Sequence, residues 1–166
     1  MAESLPDIII PFEYKFNFPL EKVWSLVADF GGWGTWYPRF AGMYIDGDGI
    51  DKIGCVRIIN SSNGGIYEET ETEKDVVSHY FSYSTFHQKP PVPFVEKFVA
   101  RIHLEEDGEN KTKLTKVATI TPKYQLDEET LEKFKVSGLA LYKSVYDGLN
   151  KYLEDQQKQQ LDQNKE

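Results

Sequence analysis

An arginine and a glutamate fall on two neighbouring stretches of alternating residues, where together they could hold a polar ligand group or move a proton. The stretches are 53–60, which contains Arg57, and 66–75, which contains Glu68. In the second stretch one face carries three glutamates in succession, and such a row of carboxylates favours water. We therefore expect Glu68 on the opposite face, beside Thr70, pointing into the protein. A carboxylate placed there must be paired, hydrated or protonated, and Arg57 is its expected partner.

The turn between these strands decides whether the pair forms. If Asn63-Gly64 is a two-residue turn, Arg57 faces Thr70 and lies diagonal to Glu68; a four-residue turn places it directly opposite Glu68. A three-residue turn places Arg57 opposite Glu69 instead. A pair on the concave face could orient a ligand or transfer a proton, or it could be a structural ion pair. An exposed cross-strand pair would contribute only a few tenths of a kcal/mol.

The candidate residues must be positioned by strands that lie between two helical regions. Residues 8–18 alternate as a first strand, 19–30 carry the apolar stripe of a helix, and the chain through Trp36 allows a second short helical turn. Six more strands are predicted at 41–46, 53–60, 66–75, 78–87, 94–105 and 113–121. The connections between them are short, which predicts an antiparallel meander.

A long amphipathic helix follows, with Asp127 as its expected N-cap. Its predicted buried seam is Phe134, Gly138, Leu141, Val145, Gly148 and Tyr152. Glycines inside a helix are destabilising, so these two indicate close packing or room beneath the helix. Residues 154–166 are polar and are expected to be a frayed tail, which leaves one domain at 1–153.

The fold class is therefore α+β, with a curved antiparallel sheet around a long C-terminal helix. If the sheet is strongly curved, the helix cannot touch its whole concave face, and the gap becomes a pocket. The segment DFGGWGTWYPRF, at 29–40, combines aromatic residues with glycines. We expect it to close one side of that apolar cavity through Trp36 and Phe40.

Composition excludes several classes of function. The 166 residues carry a net charge of −8, and no basic cluster is present, so nucleic acid is not an expected partner. No apolar run is long enough to span a bilayer, and the N-terminus does not resemble a signal peptide. We therefore expect a cytoplasmic location. With one cysteine, Cys55, and three scattered histidines, we expect neither a metal nor a cofactor.

The segments VWSLVADFGGWGTWYP, DKIGCVRII, IYEETE, SYSTF and PFVEKFVARIHLEE occur in the order and spacing of one superfamily. The chain resembles the START-like, birch-pollen-allergen-like (SRPBCC) group over about residues 10–152, and within it the polyketide cyclase/dehydrase and lipid-transport branch. Local similarity to lachrymatory-factor synthase is strongest at GCVR and SYS. The resemblance implies a helix-grip fold with seven strands, two short helices after the first strand, and a cavity for hydrophobic small molecules.

The resemblance implies that the protein binds a lipid, a polyketide or another secondary metabolite as a carrier or sensor. The alternative is a cofactor-independent lyase, cyclase or isomerase that uses Arg57 with Glu68 or Tyr83. Tyr83 is the best candidate for an inward aromatic hydroxyl. His87 would gate the cavity mouth or exchange protons, or be a solvated loop histidine; Cys55 would be a pocket thiol or an apolar filler. The expected ligand-binding residues are Trp36, Phe40, Cys55, Arg57, Glu68, Thr70, Tyr83, His87, Phe98, Ala100, Phe134, Gly138, Leu141 and Val145.

Overall fold

The first strand of the chain pairs with the last strand in one antiparallel sheet. The computed structural model describes residues 4–37, 40–46, 53–61 and 64–165. Its strands are β1 (Ile8–Phe16), β2 (Phe40–Asp46), β3 (Val56–Ser61), β4 (Ile66–Asp75), β5 (Tyr80–Lys89), β6 (Val95–Glu106) and β7 (Thr112–Pro122). They form one antiparallel sheet in the order β1-β7-β6-β5-β4-β3-β2. The predicted meander is confirmed from β2 to β7, and β1 is an edge strand, where Pro11 is tolerated.

Alternation of side chains places one face of the sheet in the core. In β6 the predicted inward stripe is confirmed, because Ala100, Ile102 and Leu104 are fully buried and Phe98 is half-buried. In β7 every second residue is buried along the whole strand. The sheet therefore presents a continuous inner face, against which the helices pack.

The segment after β1 forms one short α-helix and one tight turn. α1 (Leu20–Val27) begins after Pro19 and buries Val23, Trp24 and Val27, which confirms the predicted stripe. A single 3-10 turn follows at Trp33–Thr35. The expectation of two short helices is met in part, because one short α-helix follows β1 and the second element is only a single 3-10 turn.

The C-terminal helix, α2 (Glu128–Gln163), is longer than predicted and turns a different face to the core. The Asp127 side chain accepts a hydrogen bond from the backbone N–H of Thr130, which confirms the N-cap. The buried residues are Tyr142, Val145, Tyr146, Leu149 and Leu153. The buried stripe lies about one residue further along the helix than the predicted seam, so Leu141, which is exposed, and Tyr152, which is half-buried, were assigned wrongly to its centre. Residues 154–163 are helical, which corrects the expectation of a frayed tail.

The two glycines of α2 have different surroundings. A Cβ atom on Gly148 would lie 3.3 Å from a ring carbon of Tyr37 and 3.5 Å from the carbonyl oxygen of Trp36. Gly148 therefore allows the helix to approach the segment after α1 closely. A Cβ atom on Gly138 would meet only the terminal methyl of Ile10, at 3.4 Å. Gly138 thus lies over open space.

We expect Gly148→Leu to lower the free energy of unfolding by about 1–3 kcal/mol, because the new side chain overpacks the contact with Tyr37. The matched control, Gly138→Leu, adds the same side chain to the same helix and should leave stability unchanged or higher. Urea denaturation of both variants measures the difference. Equal destabilisation of the two would contradict this account of Gly148.

Candidate functional site

A cavity of about 450 Å3 lies between the inner face of the sheet and the first half of α2. The deeper part of its wall is made by buried side chains, including Trp33, Arg57, Tyr83, Lys116 and Val145. The outer part is made by half-buried or exposed residues, including Tyr67, Gln88, Val92, Gly138 and Leu141. These outer residues lie at the start of β4, at the end of β5, in the following loop and on α2, so the mouth lies at that end of the sheet.

The polar side chains of the deep wall form one connected group, and its centre is an ion pair. Arg57 is 1% exposed, and its Nε and Nη2 atoms each lie 2.6 Å from the same carboxylate oxygen of Glu69. Arg57 Nη1 donates to the carbonyl oxygen of Phe30 at 3.1 Å. The other carboxylate oxygen of Glu69 accepts from the hydroxyl of Thr85 at 3.2 Å. Both charges are therefore compensated inside the protein.

Aromatic rings surround the guanidinium group of Arg57. The central carbon of the group lies 4.1 Å from the ring centre of Phe30, 4.2 Å from that of Trp33 and 4.6 Å from that of Tyr83. Such contacts stabilise a desolvated cation and hold its plane in place. Arg57 thus has its charge and much of its surface already occupied by the protein.

A second cation, Lys116, lies in the same wall without an ion-pair partner among the described residues. Its side chain projects from the middle of β7 and is 4% exposed. The Nζ atom donates to the hydroxyl of Tyr83 at 3.1 Å and lies 3.9 Å from the ring centre of Tyr142. Burial lowers the pKa of Lys116 to about 7, while the negative charge of Glu69 opposes this shift and Arg57 adds to it.

Tyr83 connects the two cations. Its ring contacts Arg57 and its hydroxyl accepts from Lys116. Burial, followed by the charge of Glu69, raises the pKa of Tyr83 well above its ordinary value. The phenol is therefore protonated, so it can donate a proton or a hydrogen bond, while the neighbouring amine is neutral in part of the population at neutral pH.

A sequence model described as "Polyketide cyclase / dehydrase and lipid transport" matches residues 13–155. The chain belongs to this family. The family assignment confirms the resemblance inferred from the sequence, and the local similarity to lachrymatory-factor synthase stays a prediction. A search of curated proteins found no match.

Solved structures share the fold of this family member at low sequence identity. A START superfamily protein from Mycobacterium smegmatis matches with a TM-score of 0.68 and 14% identity, over 89% of this chain and 97% of that one. Major latex-like protein 151 from Panax ginseng matches with a TM-score of 0.67 and 15% identity, over 88% and 97% of the two chains. Ara h 8.0201 matches with a TM-score of 0.65 and 15% identity, over 84% and 95%. These likenesses support the helix-grip arrangement of a curved antiparallel sheet and a long C-terminal helix.

Half of the residues predicted from the sequence line the cavity of this family member. They are Arg57, Tyr83, Phe98, Phe134, Gly138, Leu141 and Val145. Phe40 begins β2, and its side chain lies outside what the structure describes. The roles of all these residues in binding or catalysis stay predictions.

The expectation that Glu68 faces inward is wrong. Arg57 pairs with Glu69 across β3 and β4, which is the register that a three-residue turn gives. Glu69 consequently points into the cavity, while Glu68 forms a partly exposed pair with His87 at 3.3 Å. Thr70 lies on the same outer face as Glu68 and is not part of the cavity wall. The argument from three adjacent carboxylates failed because Glu69 and Glu71 are each paired with a cation, Glu71 with Lys74 at 3.4 Å.

His87 is turned away from the cavity by an irregularity in β5. Thr85 pairs with Glu69 but His87 pairs with Glu68, so Phe86 is an extra residue in the ladder. The extra residue shifts the alternation by one position, which exposes His87 and directs Gln88 to the cavity.

Three other predicted residues are buried but lie behind the wall. Cys55 is 4% exposed, and its Sγ atom lies 3.7 Å from a carboxylate oxygen of Glu71. Trp36 packs on Trp33, whose ring forms part of the cavity instead. Ala100 lies in the same core cluster. Sequence alternation gave the direction of Cys55 and Ala100 but not their depth.

Sequence reasoning missed Lys116, although the signal was present. In KLTKVATI, strict alternation places Leu114, Lys116, Ala118 and Ile120 on one face, and a lysine within such an apolar row is unusual. Trp33, Tyr37, Glu69 and Tyr142 were also missed. Within 4–37, 40–46, 53–61 and 64–165, no group of three His, Cys, Asp or Glu residues could hold a metal ion. Over the same residues, no helix is long and apolar enough to cross a membrane.

Removal of one partner of the buried ion pair should be strongly destabilising. We expect Glu69→Ala to lower the free energy of unfolding by about 3–5 kcal/mol, because it leaves Arg57 buried without a counter-charge. Glu68→Ala is the matched control on the next residue, and it should change stability by less than about 0.5 kcal/mol. Chemical denaturation of both variants measures this, and a larger loss for Glu68→Ala would show that the register is wrong.

The lowered pKa of Lys116 predicts a pH-dependent gain in stability on its removal. Between about pH 7 and 10.5 the unfolded chain keeps the lysine proton and the folded chain does not, so the wild-type protein becomes more stable as pH rises. Lys116→Met should therefore be more stable than wild type at pH 7, and the difference should shrink towards pH 10.5. Unfolding free energies across this range, with the exposed Lys97→Met as control, measure it. A difference that does not change with pH would contradict the prediction.

Proposed function

We propose that this protein binds a largely apolar small molecule with one polar end, as a carrier or sensor. The observation that carries the proposal is the cavity, which combines apolar walls at its mouth with a compact polar group at its inner end. The family and the fold support binding of hydrophobic ligands in general. Lipids, polyketides and other secondary metabolites are the ligand classes that fit this description.

The apolar walls supply the affinity and the polar group supplies the orientation. A ligand that loses about 200 Å2 of apolar surface gains roughly 5 kcal/mol from burial alone. Immobilisation of the ligand offsets part of this gain, so burial of this area alone gives a dissociation constant no tighter than about 0.2 mM, and contacts of the polar end add to it. An oxygen function at the inner end of the ligand would reach Lys116 and Tyr83, since Arg57 is already occupied by Glu69.

A second candidate function is a cofactor-independent lyase, cyclase or isomerase. The observation that favours it is the direct contact of the Tyr83 hydroxyl with the Lys116 amine at the cavity wall. A phenol and an amine in contact can exchange a proton with a bound intermediate, in a place that excludes most water. In this version Tyr83 keeps its predicted catalytic role, Glu69 replaces Glu68, and Arg57 positions Glu69.

Filling part of the cavity should weaken binding without unfolding the protein. We expect wild type to increase the fluorescence of 1-anilinonaphthalene-8-sulfonate, and medium-chain alcohols to displace this dye. Gly138→Leu should weaken dye binding at least about tenfold, because its side chain occupies the cavity. Leu139→Ala changes the neighbouring residue, which is outside the cavity wall, and should bind as wild type does. Equal binding by Gly138→Leu and wild type would show that the dye sits elsewhere and would remove the support for this proposal.

A further inference from the structure

Among the described residues of the cavity wall, Lys116 is a buried cation without an ion-pair partner. Its neighbours on the same face of β7, Leu114 and Ala118, are fully buried apolar residues. No described carboxylate forms an ion pair with it, and its single described hydrogen bond goes to Tyr83. A methionine would fill the same volume without the desolvation cost of an ammonium group.

The surroundings of the amine favour its neutral form and leave it directed at the cavity. The Nζ atom lies against the face of Tyr142, and both Lys116 and Tyr142 contribute to the cavity wall. Burial lowers the pKa of the amine to about 7. A desolvated, partly neutral lysine in an apolar pocket is the form that attacks carbonyl carbons, whereas an ordinary surface lysine is protonated.

We propose that Lys116 binds an aldehyde or ketone ligand covalently and reversibly, as a Schiff base. This inference rests on the proposed function and names the ligand class of the same cavity. The amine nitrogen of Lys116 attacks the carbonyl carbon, and the carbonyl oxygen takes up a proton to give a carbinolamine. Loss of that hydroxyl as water then forms the C=N bond. One water leaves for each imine formed, and no oxidant or reductant is consumed.

Tyr83 is placed to move the proton in both steps. Its hydroxyl contacts Nζ, so it can donate to the carbonyl oxygen as the nitrogen attacks and recover a proton from the nitrogen afterwards. The protonated imine carries the same charge as the lysine ammonium at nearly the same position. The face of Tyr142 and the charge of Glu69 therefore stabilise the product as they stabilise the ammonium.

Reductive trapping with 2-naphthaldehyde tests the inference. The folded protein is incubated with the aldehyde and sodium cyanoborohydride at neutral pH, and the adduct is located by intact mass and peptide mapping. We expect one naphthylmethyl group, on Lys116, and no labelling at this rate in Lys116→Met. Tyr83→Phe should slow labelling at least about tenfold while Lys116 remains the labelled residue. The rate should level off above about pH 7, whereas labelling of surface lysines continues to rise with pH.

The alcohol 2-naphthalenemethanol separates this inference from the proposed function. It has the same ring system and no carbonyl group, and its binding is measured by displacement of the dye from the wild-type protein. If aldehyde and alcohol both displace the dye but no adduct forms on Lys116, the Schiff base is wrong and the binding function stands. Adducts spread evenly over surface lysines would also overturn it. If neither compound displaces the dye, the binding function falls, and the Schiff base falls with it.

Discussion

Two cations and one carboxylate share the deep wall of an apolar cavity, and this imbalance governs the rest of the site. Glu69 is committed to Arg57 by both of the short contacts that its carboxylate makes with the guanidinium. Lys116 is left with a phenol and an aromatic face. The difference explains why two basic side chains a few ångströms from the same tyrosine have different character. Arg57 is a fixed structural charge, whereas the amine of Lys116 can give up its proton.

The register of one hairpin makes this arrangement possible. A slip of one residue between β3 and β4 would place Glu68 opposite Arg57 and turn Glu69 to the outer face. Glu68 would then take the place of Glu69 beside Arg57, and Glu69 would lose both the guanidinium and the hydroxyl of Thr85. The ion pair and the register therefore stabilise each other. On the neighbouring strand β5, the extra residue Phe86 shifts the alternation of side chains by one position. His87 therefore faces outward and Gln88 faces the cavity.

Sequence patterns predicted what depends on a single element and failed where two elements must be aligned. The stripe of α1, the inward row of β6 and the antiparallel order from β2 to β7 were all predictable, since each follows from alternation or from short connections. The partner of Arg57 was not, because turns of two, three and four residues fit the same hairpin sequence. Burial of Glu69 also defied the pattern, since its cation comes from the neighbouring strand β3, whereas Glu71 is paired with Lys74 of its own strand. Lys116 is the exception. Alternation within β7 alone was sufficient to place it on the inner face, and yet it was not among the predicted site residues.

The cavity itself results from the unequal packing of α2 along its length. From Tyr142 to Leu153 the helix buries a full stripe of large side chains, and at Gly148 it touches the segment after α1. Before Tyr142 its inward residues are only half-buried, and Gly138 contributes no side chain. The tightly packed half fixes the helix, so the loosely packed half cannot collapse onto the sheet. An apolar space is thereby kept open above Lys116 at little cost to overall stability, and the end of a ligand that reaches the bottom of this space meets an amine rather than a hydrocarbon.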